Sequence, residues 1–315
     1  MKKIVIFGGG SGLSQLLKGL KLFPIDVTAV VSVSDNGRST GRLRKDYNIP
    51  AVGDISKVML SMSECDNDIR ELMNYRFNKS KSLGNHSIKN LLLTALLDQK
   101  GDFANAIPVL EKLLNIKGKV LPLTEDNVDL VGITSDGKKL VGEEQITKSK
   151  KKIDKIIYSN EILVNPKVID AVKKADLIIF SSGSLITSII PHLLNDTLNN
   201  AIKSSKAETM YVCNLFTQPG ETDDYKVSDH VNLLENYLGK NTINIIVANN
   251  AKMNSGLVKK YETEEQKDQV LLDLENLENR KVIADKIFKV ENNYYRHDAL
   301  KTAYVIFAYL MDGLK

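Results

Sequence analysis

The chain has 315 residues, of which 43% are hydrophobic and 26% are charged. These fractions are typical of globular proteins and exclude a disordered or fibrous chain. The 43 basic and 39 acidic residues give a net charge of +4, which is too small an excess for the dense basic surface of a nucleic-acid-binding protein.

The cysteine content and the apolar runs indicate the compartment. Cys65 and Cys213 are the two cysteines and show no metal-ligand or disulfide spacing, so a reducing compartment is expected. The apolar runs are too short, or too often interrupted by serine and glycine, for a signal peptide or a membrane span. We therefore expect a cytoplasmic protein without membrane insertion.

The N-terminal segment has the pattern of a βαβ unit. Residues 4–7 form a continuous apolar run that ends in glycines, as buried parallel strands do. Leucines at helical spacing predict a helix beginning near Ser11 or Gly12. Residues 27–33 form the next apolar run and complete the unit.

The rest of the chain alternates strand and helix patterns. Further strands are predicted at residues 176–180, 210–214 and 243–248, and helices at residues 87–97, 103–114 and 300–314. Such alternation predicts a Rossmann-like, doubly wound parallel sheet with helices on both faces, built as one α/β domain over residues 1–315.

Two segments depart from this alternation. Strand-like residues flank the turn Ser135-Asp136-Gly137, which predicts a small inserted β-hairpin lobe at about residues 118–147. Residues 257–287 are charged, and we predict that they are helical.

The glycine-rich loop after the first strand is the strongest candidate site. It consists of Gly8, Gly9, Gly10, Ser11 and Gly12, and it opens a helix whose N–H groups and dipole favour an anion. The full GxGxxG spacing and the lysine of a P-loop are both missing, so the loop does not specify NAD or ATP. The sequence therefore predicts a phosphate site here, against the alternative of a tight turn that binds nothing.

A second polar loop follows the next strand. Asp35, Arg38, Arg42 and Arg44 lie in it, and the carboxyl ends of parallel strands meet at one edge of the sheet. Arginine suits phosphate because its planar donors pair with two oxygens. The alternative is an ordinary polar surface loop.

Further polar candidates lie at the start of a predicted helix, within residues 85–90, or directly after predicted strands. The candidates are His86, Asn90, Gly183, Ser184, Thr187, Asn214 and Gln218. Their hydroxyl and amide groups are suited to an anion, a sugar or a base. His86 has no partner at the spacing of a catalytic triad, and a lone histidine is more often structural. No catalytic residue is identified.

A magnesium site is the minor alternative at the same edge. Asp35, Asp54, Glu221 and Asp223 supply the oxygen ligands that Mg²⁺ prefers, but their separation in sequence fixes no distance. We therefore predict no metal ligands and leave Mg²⁺ open.

Several of these motifs together resemble the gluconeogenesis factor family (YvcK), a branch of the CofD-like proteins. They are GGGSGLSQLLKGL from Gly8, SDNGRSTGRLR from Ser34, GDISKVMLSMS from Gly53, NHSIKNLLLTAL from Asn85, SSGSLITSIIPHLL from Ser181 and CNLFTQPGETDDYKVSDHV from Cys213. Their order and spacing cover nearly the whole chain.

The resemblance implies a cytoplasmic, Rossmann-like protein that binds UDP-sugars such as UDP-N-acetylglucosamine. It also implies a role in cell shape and in growth on gluconeogenic carbon sources. By the same resemblance, Tyr261 and Arg296 correspond to residues that contact the nucleotide sugar. The family's Asp-Asp-Gly-Gly-Ser is replaced by a segment containing Asn36 and Arg38, which makes metal-dependent transfer less expected.

The resulting prediction is a non-catalytic regulatory protein that senses a UDP-sugar, with no cofactor assigned and Mg²⁺ left open. The alternative is a CofD-type transferase acting on a nucleoside-diphosphate-linked donor, and a third class is an NAD-dependent oxidoreductase. A homodimer, and partners among cell-wall or regulatory proteins, are left open.

Overall fold

The computed structural model describes residues 1–80 and 82–312, with the side chains of Arg38 and Asp312 left out. The strands are β1 Lys3–Gly8, β2 Asp26–Val31, β3 Lys119–Pro122, β4 Leu130–Thr134, β5 Lys139–Val141, β6 Ile153–Tyr158, β7 Leu177–Phe180, β8 Glu208–Val212, β9 Ile245–Asn249, β10 Lys281–Asp285, β11 Phe288–Glu291 and β12 Tyr294–His297. The α-helices are α1 Gly10–Leu20, α2 Arg38–Tyr47, α3 Gly53–Met62, α4 Asn67–Asn74, α5 Ile88–Lys100, α6 Phe103–Leu113, α7 Glu143–Ser149, α8 Pro166–Lys173, α9 Asp196–Ser204, α10 Val227–Leu238, α11 Ser255–Lys260 and α12 Ala299–Asp312.

The main sheet has seven strands in the order β10-β9-β8-β7-β1-β2-β3, and its neighbouring strands all run parallel. The prediction of a doubly wound parallel sheet is confirmed. The chain builds the sheet from β1 outward through β2 and β3, and then returns to the other side of β1 with β7. The order therefore reverses between β1 and β7, where open α/β sheets bind their ligands.

Both faces of the sheet are buried, which explains the continuous apolar runs. Successive residues of a strand point to opposite faces. Ile4 and Ile6 belong to one core, which includes the leucines of α1, whereas Val5 and Phe7 belong to the other core. Helix α1 packs between α3 and α12 on the first face. The predicted strands and helices between residues 4 and 248 are found with shifts of one to three residues at their ends.

The inserted lobe is a three-stranded antiparallel sheet in the order β5-β4-β6. Its β4–β5 hairpin turns at the predicted Ser135-Asp136-Gly137. The sheet extends to Tyr158, beyond the predicted end at about residue 147, while residues 119–122 join the main sheet as β3 rather than the lobe. Helix α7 connects β5 to β6 and faces the main domain.

The prediction of a helix over residues 257–287 is wrong. Helix α11 continues only through one π-helical turn at Tyr261–Glu265 and ends at Gln266, which has a left-handed φ of 55°. Val282 and Ile283 lie in β10, which pairs in parallel with β9 and forms one edge of the main sheet. The β11–β12 hairpin was also not predicted.

The C-terminal helix is confirmed over Ala299–Asp312, and Leu314 of the predicted range lies outside the described residues. Within the described ranges, no helix is long and apolar enough to cross a membrane.

Candidate functional site

A cleft of about 480 Å³ opens at the carboxyl ends of β1, β7 and β8. Its volume falls within the range of about 300–1,000 Å³ that small-molecule pockets span. The residues that line the cleft include Gly9, Gly10, Ser11, Asp35, Asp54, Lys57, Glu143, Gly183, Ser184, Asn214, Phe216, Gln218, Tyr261 and Arg296. The cleft therefore lies at the switch point of the sheet.

The glycine loop divides into a packing part and an open part. A methyl group at Gly8 would overlap the Ser181 hydroxyl, and one at Gly12 would overlap the Ser182 carbonyl. These two glycines let β1 and α1 approach the loop after β7. Gly10 has a left-handed φ of 55°, a conformation that glycine adopts without steric cost. Gly9 and Gly10 both line the cleft next to Asp54. Gly9 is buried, and a methyl group there would overlap Asp54 Oδ2, whereas Gly10 has room for one.

A carboxylate occupies part of the anion position at the start of α1. The N–H of Gly10 donates a hydrogen bond to the Asp54 carboxyl group. Burial and the nearby charge of Asp35 raise the pKa of Asp54 to about 7, although Lys57 and the Gly10 bond act in the opposite direction. Lys57 donates a 2.6 Å hydrogen bond from Nζ to Ser11 Oγ. Positive and negative groups thus share this end of the cleft.

The lobe contributes a further acid, Glu143, the first residue of α7. Burial, followed by the charges of Asp35, Asp54 and Glu221, raises the pKa of Glu143 to about 9, although a hydrogen bond from Thr187 opposes the shift. The backbone N–H of residue 144 donates to Asn36 Oδ1 at 2.9 Å, and this bond fixes the start of α7 at the cleft. Four carboxyl groups therefore converge there.

The loop after β7 forms a hydrogen-bonded wall. Ser184 Oγ donates to Glu221 Oε2 at 2.5 Å and accepts from Thr187 Oγ1 at 2.8 Å. Gly183 and Asn214 exchange two bonds, of 2.9 Å from the Gly183 N–H and 2.7 Å from Asn214 Nδ2. Burial raises the pKa of Glu221 to about 7, against the lowering effect of the Ser184 bond. Side chains of the segment after β8 therefore hold this loop in place.

These carboxylates bear on the open question of Mg²⁺. No three or more acidic, histidine or cysteine residues in the described ranges are arranged to hold a metal ion. Mg²⁺, however, is commonly held by one or two carboxylates together with substrate phosphates. Asp35 and Asp54, both on the cleft wall, fit that second arrangement. Asp223, the fourth predicted acid, instead accepts the Gly220 N–H.

The far end of the cleft is aromatic. The rings of Phe216 and Tyr261 stack with centroids 4.0 Å apart. Tyr261 is only 5% exposed, and its hydroxyl accepts the Tyr295 N–H at 2.8 Å and donates to the Tyr295 carbonyl at 3.3 Å. One face of Tyr261 is thus already covered, and Phe216 belongs to the same wall. Arg296 is exposed and lies over the ring of Tyr294, 5.4 Å from its centroid.

Several predicted residues do not line the cleft. Ser39 connects His86 and Asn90, because its Oγ lies 2.8 Å from His86 Nδ1 and accepts from Asn90 Nδ2 at 3.3 Å. Arg42 lines a different groove. Arg44 is an anchor of the lobe, with a 2.8 Å ion pair to Asp129.

Most of the remaining predicted site residues line the cleft or lie directly behind its wall. Asp35, Gly183, Ser184, Asn214, Gln218, Tyr261 and Arg296 line the cleft with Gly9 to Gly12, whereas Gly8 and Thr187 support its wall from behind. The side chain of Arg38 lies outside the described part of the chain.

Glu143, Lys57 and Phe216 line the cleft but were not predicted as site residues. Glu143 follows a hairpin that appeared to belong to a separate lobe. Lys57 stands within the segment quoted from Gly53, and Phe216 directly follows Asn214 and Leu215. The available signal for Phe216 was an aromatic residue a few positions after the end of β8, whereas Lys57 lies inside α3 and had no such signal.

The fold and cleft define an α/β protein with a glycine-rich ligand cleft at the switch point of a doubly wound sheet. The sequence model of the family described as 2-phospho-L-lactate transferase CofD matches residues 4–288. The putative gluconeogenesis factor of Thermotoga maritima is 42% identical, over 96% of this chain and 98% of that protein. The gluconeogenesis factor of Bacillus subtilis is 40% identical, over 99% and 98% respectively.

Structural comparison agrees with the sequence comparisons. The crystal structure of protein BH3568 from Bacillus halodurans superposes with a TM-score of 0.93 and 37% identity, covering 97% of this chain and 99% of that one. The chain belongs to the gluconeogenesis factor branch of the CofD family.

Proposed function

We propose that this protein is a cytoplasmic regulator that binds a UDP-sugar, with UDP-N-acetylglucosamine as the first candidate, and supports cell shape and growth on gluconeogenic carbon sources. One observation carries the proposal. The glycine backbone at Gly9 and Gly10, at the start of α1, and the aromatic wall at Tyr261 border one cleft. Such a cleft offers donors for a diphosphate at one end and amphipathic surfaces for a base or sugar at the other.

The diphosphate lies at residues 9–12 in this proposal. Lys57 supplies the net positive charge, because its ammonium group already reaches Ser11 in the loop. Arg38 or Arg42 was the residue predicted from the sequence for that charge. The uridine and sugar extend toward Asn214, Gln218 and Arg296, whose amide and guanidinium groups form hydrogen bonds with uncharged oxygens.

The acidic residues make binding dependent on protons or a cation. The Asp54 carboxyl group accepts the Gly10 N–H that a phosphate oxygen would otherwise use. A diphosphate placed there meets repulsion from the carboxylates unless they are protonated or neutralised. We propose that Mg²⁺ is held by Asp35, Asp54 and the phosphate oxygens, which matches the ligand set that Mg²⁺ commonly takes.

The same carboxylates favour a second candidate, a CofD-type transferase. An acid that keeps its proton near neutral pH can assist a leaving group or a nucleophile, and Asp54 and Glu221 both have pKa values near 7. The family described as 2-phospho-L-lactate transferase supplies the precedent. Incubation with UDP-N-acetylglucosamine or GTP, Mg²⁺ and candidate acceptors, followed by mass spectrometry, separates the two functions. Turnover would contradict a purely regulatory role.

Binding is tested by thermal shift and titration calorimetry with UDP-N-acetylglucosamine, UDP, GDP and NAD, with and without Mg²⁺. A ligand at 100 times its dissociation constant stabilises the folded state by about 2.7 kcal/mol. Lys57→Met should weaken UDP and UDP-N-acetylglucosamine equally, by about tenfold, because it removes a charge from the shared diphosphate. Lys139→Met, at an exposed position of the lobe, is the control. Equal affinities in the two variants would contradict the placement.

A further inference from the structure

A second cavity, which we call the amino-edge pocket, lies at the opposite end of the sheet from the cleft. It has a volume of about 440 Å³, within the usual range for small-molecule pockets. Its floor is formed by the first residues of β1, β2 and β3, and its walls are formed by α6 and α8. Its lining residues include Lys3, Val5, Asp26, Thr28, Ala104, Glu111, Lys119, Leu121, Lys167, Asp170 and Lys174.

The topology explains why this floor is open. The core on the other face of the sheet contains Val27 and Ala29 of β2 and the apolar residues of α3, α5 and α6. The helices between β2 and β3 therefore cover that face. Thr28 points to the opposite face, where α8 covers only part of the floor. The start of β2 is left as the base of a cavity.

The register of the strands sets the chemistry of the floor. Lys3 pairs with Asp26, Val5 with Thr28, and Thr28 with Lys119. These five side chains share one face of the sheet because each strand contributes alternate residues. The charged side chains therefore lie at the starts of the strands. Apolar surface comes from Val5 and from Leu121, which is the next residue of β3 on the same face.

Thr28 places a polar atom at the bottom of the pocket. It is 9% exposed, and its hydroxyl forms no hydrogen bond with any residue in the described ranges. Solvent reaches this hydroxyl from the cavity, because Thr28 Oγ1 is not among the fully enclosed polar atoms that lack a partner. A bound molecule can therefore take the place of water as its hydrogen-bond partner.

The rim carries more cations than anions. Four lysines stand against three acids, Asp26, Glu111 and Asp170. Burial raises the pKa of Glu111, although the Val120 N–H and then the charges of Lys119 and Lys167 oppose the shift. None of the four lysines is within ion-pair distance of a described carboxylate. An anion at the rim would meet these ammonium groups without displacing an existing pair.

We propose that the amino-edge pocket binds a small amphipathic anion, with its apolar body on Val5 and Leu121 and its carboxylate or phosphate at Lys119 and Lys3. The hydroxyl of Thr28 hydrogen-bonds to the ligand at the floor. This site is separate from the cleft, and its existence does not depend on the proposed UDP-sugar.

Fluorine NMR on the full chain tests the proposal with matched probes. They are 4-(trifluoromethyl)benzoate, 4-(trifluoromethyl)phenyl phosphate, the neutral 4-(trifluoromethyl)benzyl alcohol, and inorganic phosphate as a competitor without an apolar body. We expect one or both anionic aromatics to bind, at least tenfold more tightly than the alcohol. The ratio of the affinities of the phosphate probe and the carboxylate probe identifies the preferred anion. Inorganic phosphate should not displace them at equal concentration.

Three variants of pocket residues and one control variant locate the binding. Lys119→Glu should weaken the anions at least tenfold, and Thr28→Val should weaken them several-fold while keeping the shape of the floor. Lys139→Glu makes the same charge change on the lobe and should have no effect. Circular dichroism checks that each variant is folded. Ala104→Trp, at an exposed position on the pocket wall, should also weaken binding and does not alter charge.

Four results would overturn the proposal. The first two are equal affinity for the anions and the alcohol in the wild-type protein, and no binding of either anion. The third is binding that Lys119→Glu and Ala104→Trp leave unchanged, and the fourth is competition with a ligand of the cleft. Saturating UDP-N-acetylglucosamine should leave the probe signals unchanged, whereas displacement of the probes would assign them to the cleft and would equally contradict the site.

Discussion

Glu143→Gln isolates the effect of the buried acid that the lobe inserts into the cleft. The pKa of Glu143 is about 9 in the folded protein, against an ordinary value of 4.5. Because the native state keeps this proton while the unfolded chain releases it, the free energy of unfolding falls as pH rises between these values. Glutamine has nearly the same shape and carries no titrating proton, so the variant lacks this pH-dependent loss.

The structure gives the size of the effect. Each pH unit between the two pKa values corresponds to about 1.4 kcal/mol of unfolding free energy. At pH 8 the wild type can therefore lose at most about 5 kcal/mol that Glu143→Gln does not lose. Glu143 is partly exposed and the cleft can take up water when the acid ionises, which reduces the expected difference to about 2 kcal/mol. At pH 5 the wild type and the variant should differ by only about 0.8 kcal/mol, because the native acid is protonated while about three-quarters of the unfolded chains carry the ionised acid.

Urea denaturation at pH 5, 6.5 and 8, with EDTA present to remove divalent cations, measures this difference. Glu161→Gln, which neutralises an exposed acid outside the cleft, is the control and should show no comparable increase with pH. A stability difference between wild type and Glu143→Gln that stays constant from pH 5 to pH 8 would refute the reasoning.

Other expected effects concern the aromatic wall and the buried ion pair. Tyr261→Phe should lower the free energy of unfolding by about 1–2 kcal/mol, because it removes both bonds to Tyr295. Arg296→Ala should weaken ligand binding with a stability change below about 1 kcal/mol, as calorimetry and thermal denaturation will show; a larger stability loss would make Arg296 structural. Glu235→Ala should cost about 3–5 kcal/mol in urea denaturation, because it leaves Arg280, 12% exposed, without its 2.8 Å partner. A cost below about 1 kcal/mol would contradict that role.

The main sheet was predictable because its signals are local. Residues 4–7 are apolar on both faces and end in glycines, and four leucines of α1 repeat at helical spacing. Each pattern reports the burial of its own segment. The edge strand β10 lacks this signal, since all five of its residues are only half-buried. The charged residues around β10 favoured the prediction of a helix. The segment instead forms a strand because it pairs with β9.

The candidate site was predictable in part for a related reason. Residues that directly follow the strands, such as Gly10, Ser184 and Asn214, converge because parallel strands end at one edge. Glu143 reaches the cleft through an inserted lobe whose docking depends on Asn36, more than 100 residues earlier in the chain. Nothing in the local pattern around either residue indicates that contact.

Titration calorimetry of wild type and Gly10→Val with UDP-N-acetylglucosamine, UDP and GDP, in the presence of Mg²⁺, tests most directly whether the glycine loop holds the diphosphate. The valine side chain extends from the backbone beside Asp54 into the cleft, where a methyl group would lie 3.6 Å from Asp54 Oδ1, and it also strains a left-handed residue. We predict that wild type binds UDP-N-acetylglucosamine more tightly than GDP. The folded variant should lose at least about tenfold in affinity, or about 1.4 kcal/mol, for every nucleoside diphosphate that wild type binds. Unchanged affinity in a variant that circular dichroism shows to be folded would contradict the placement of the diphosphate.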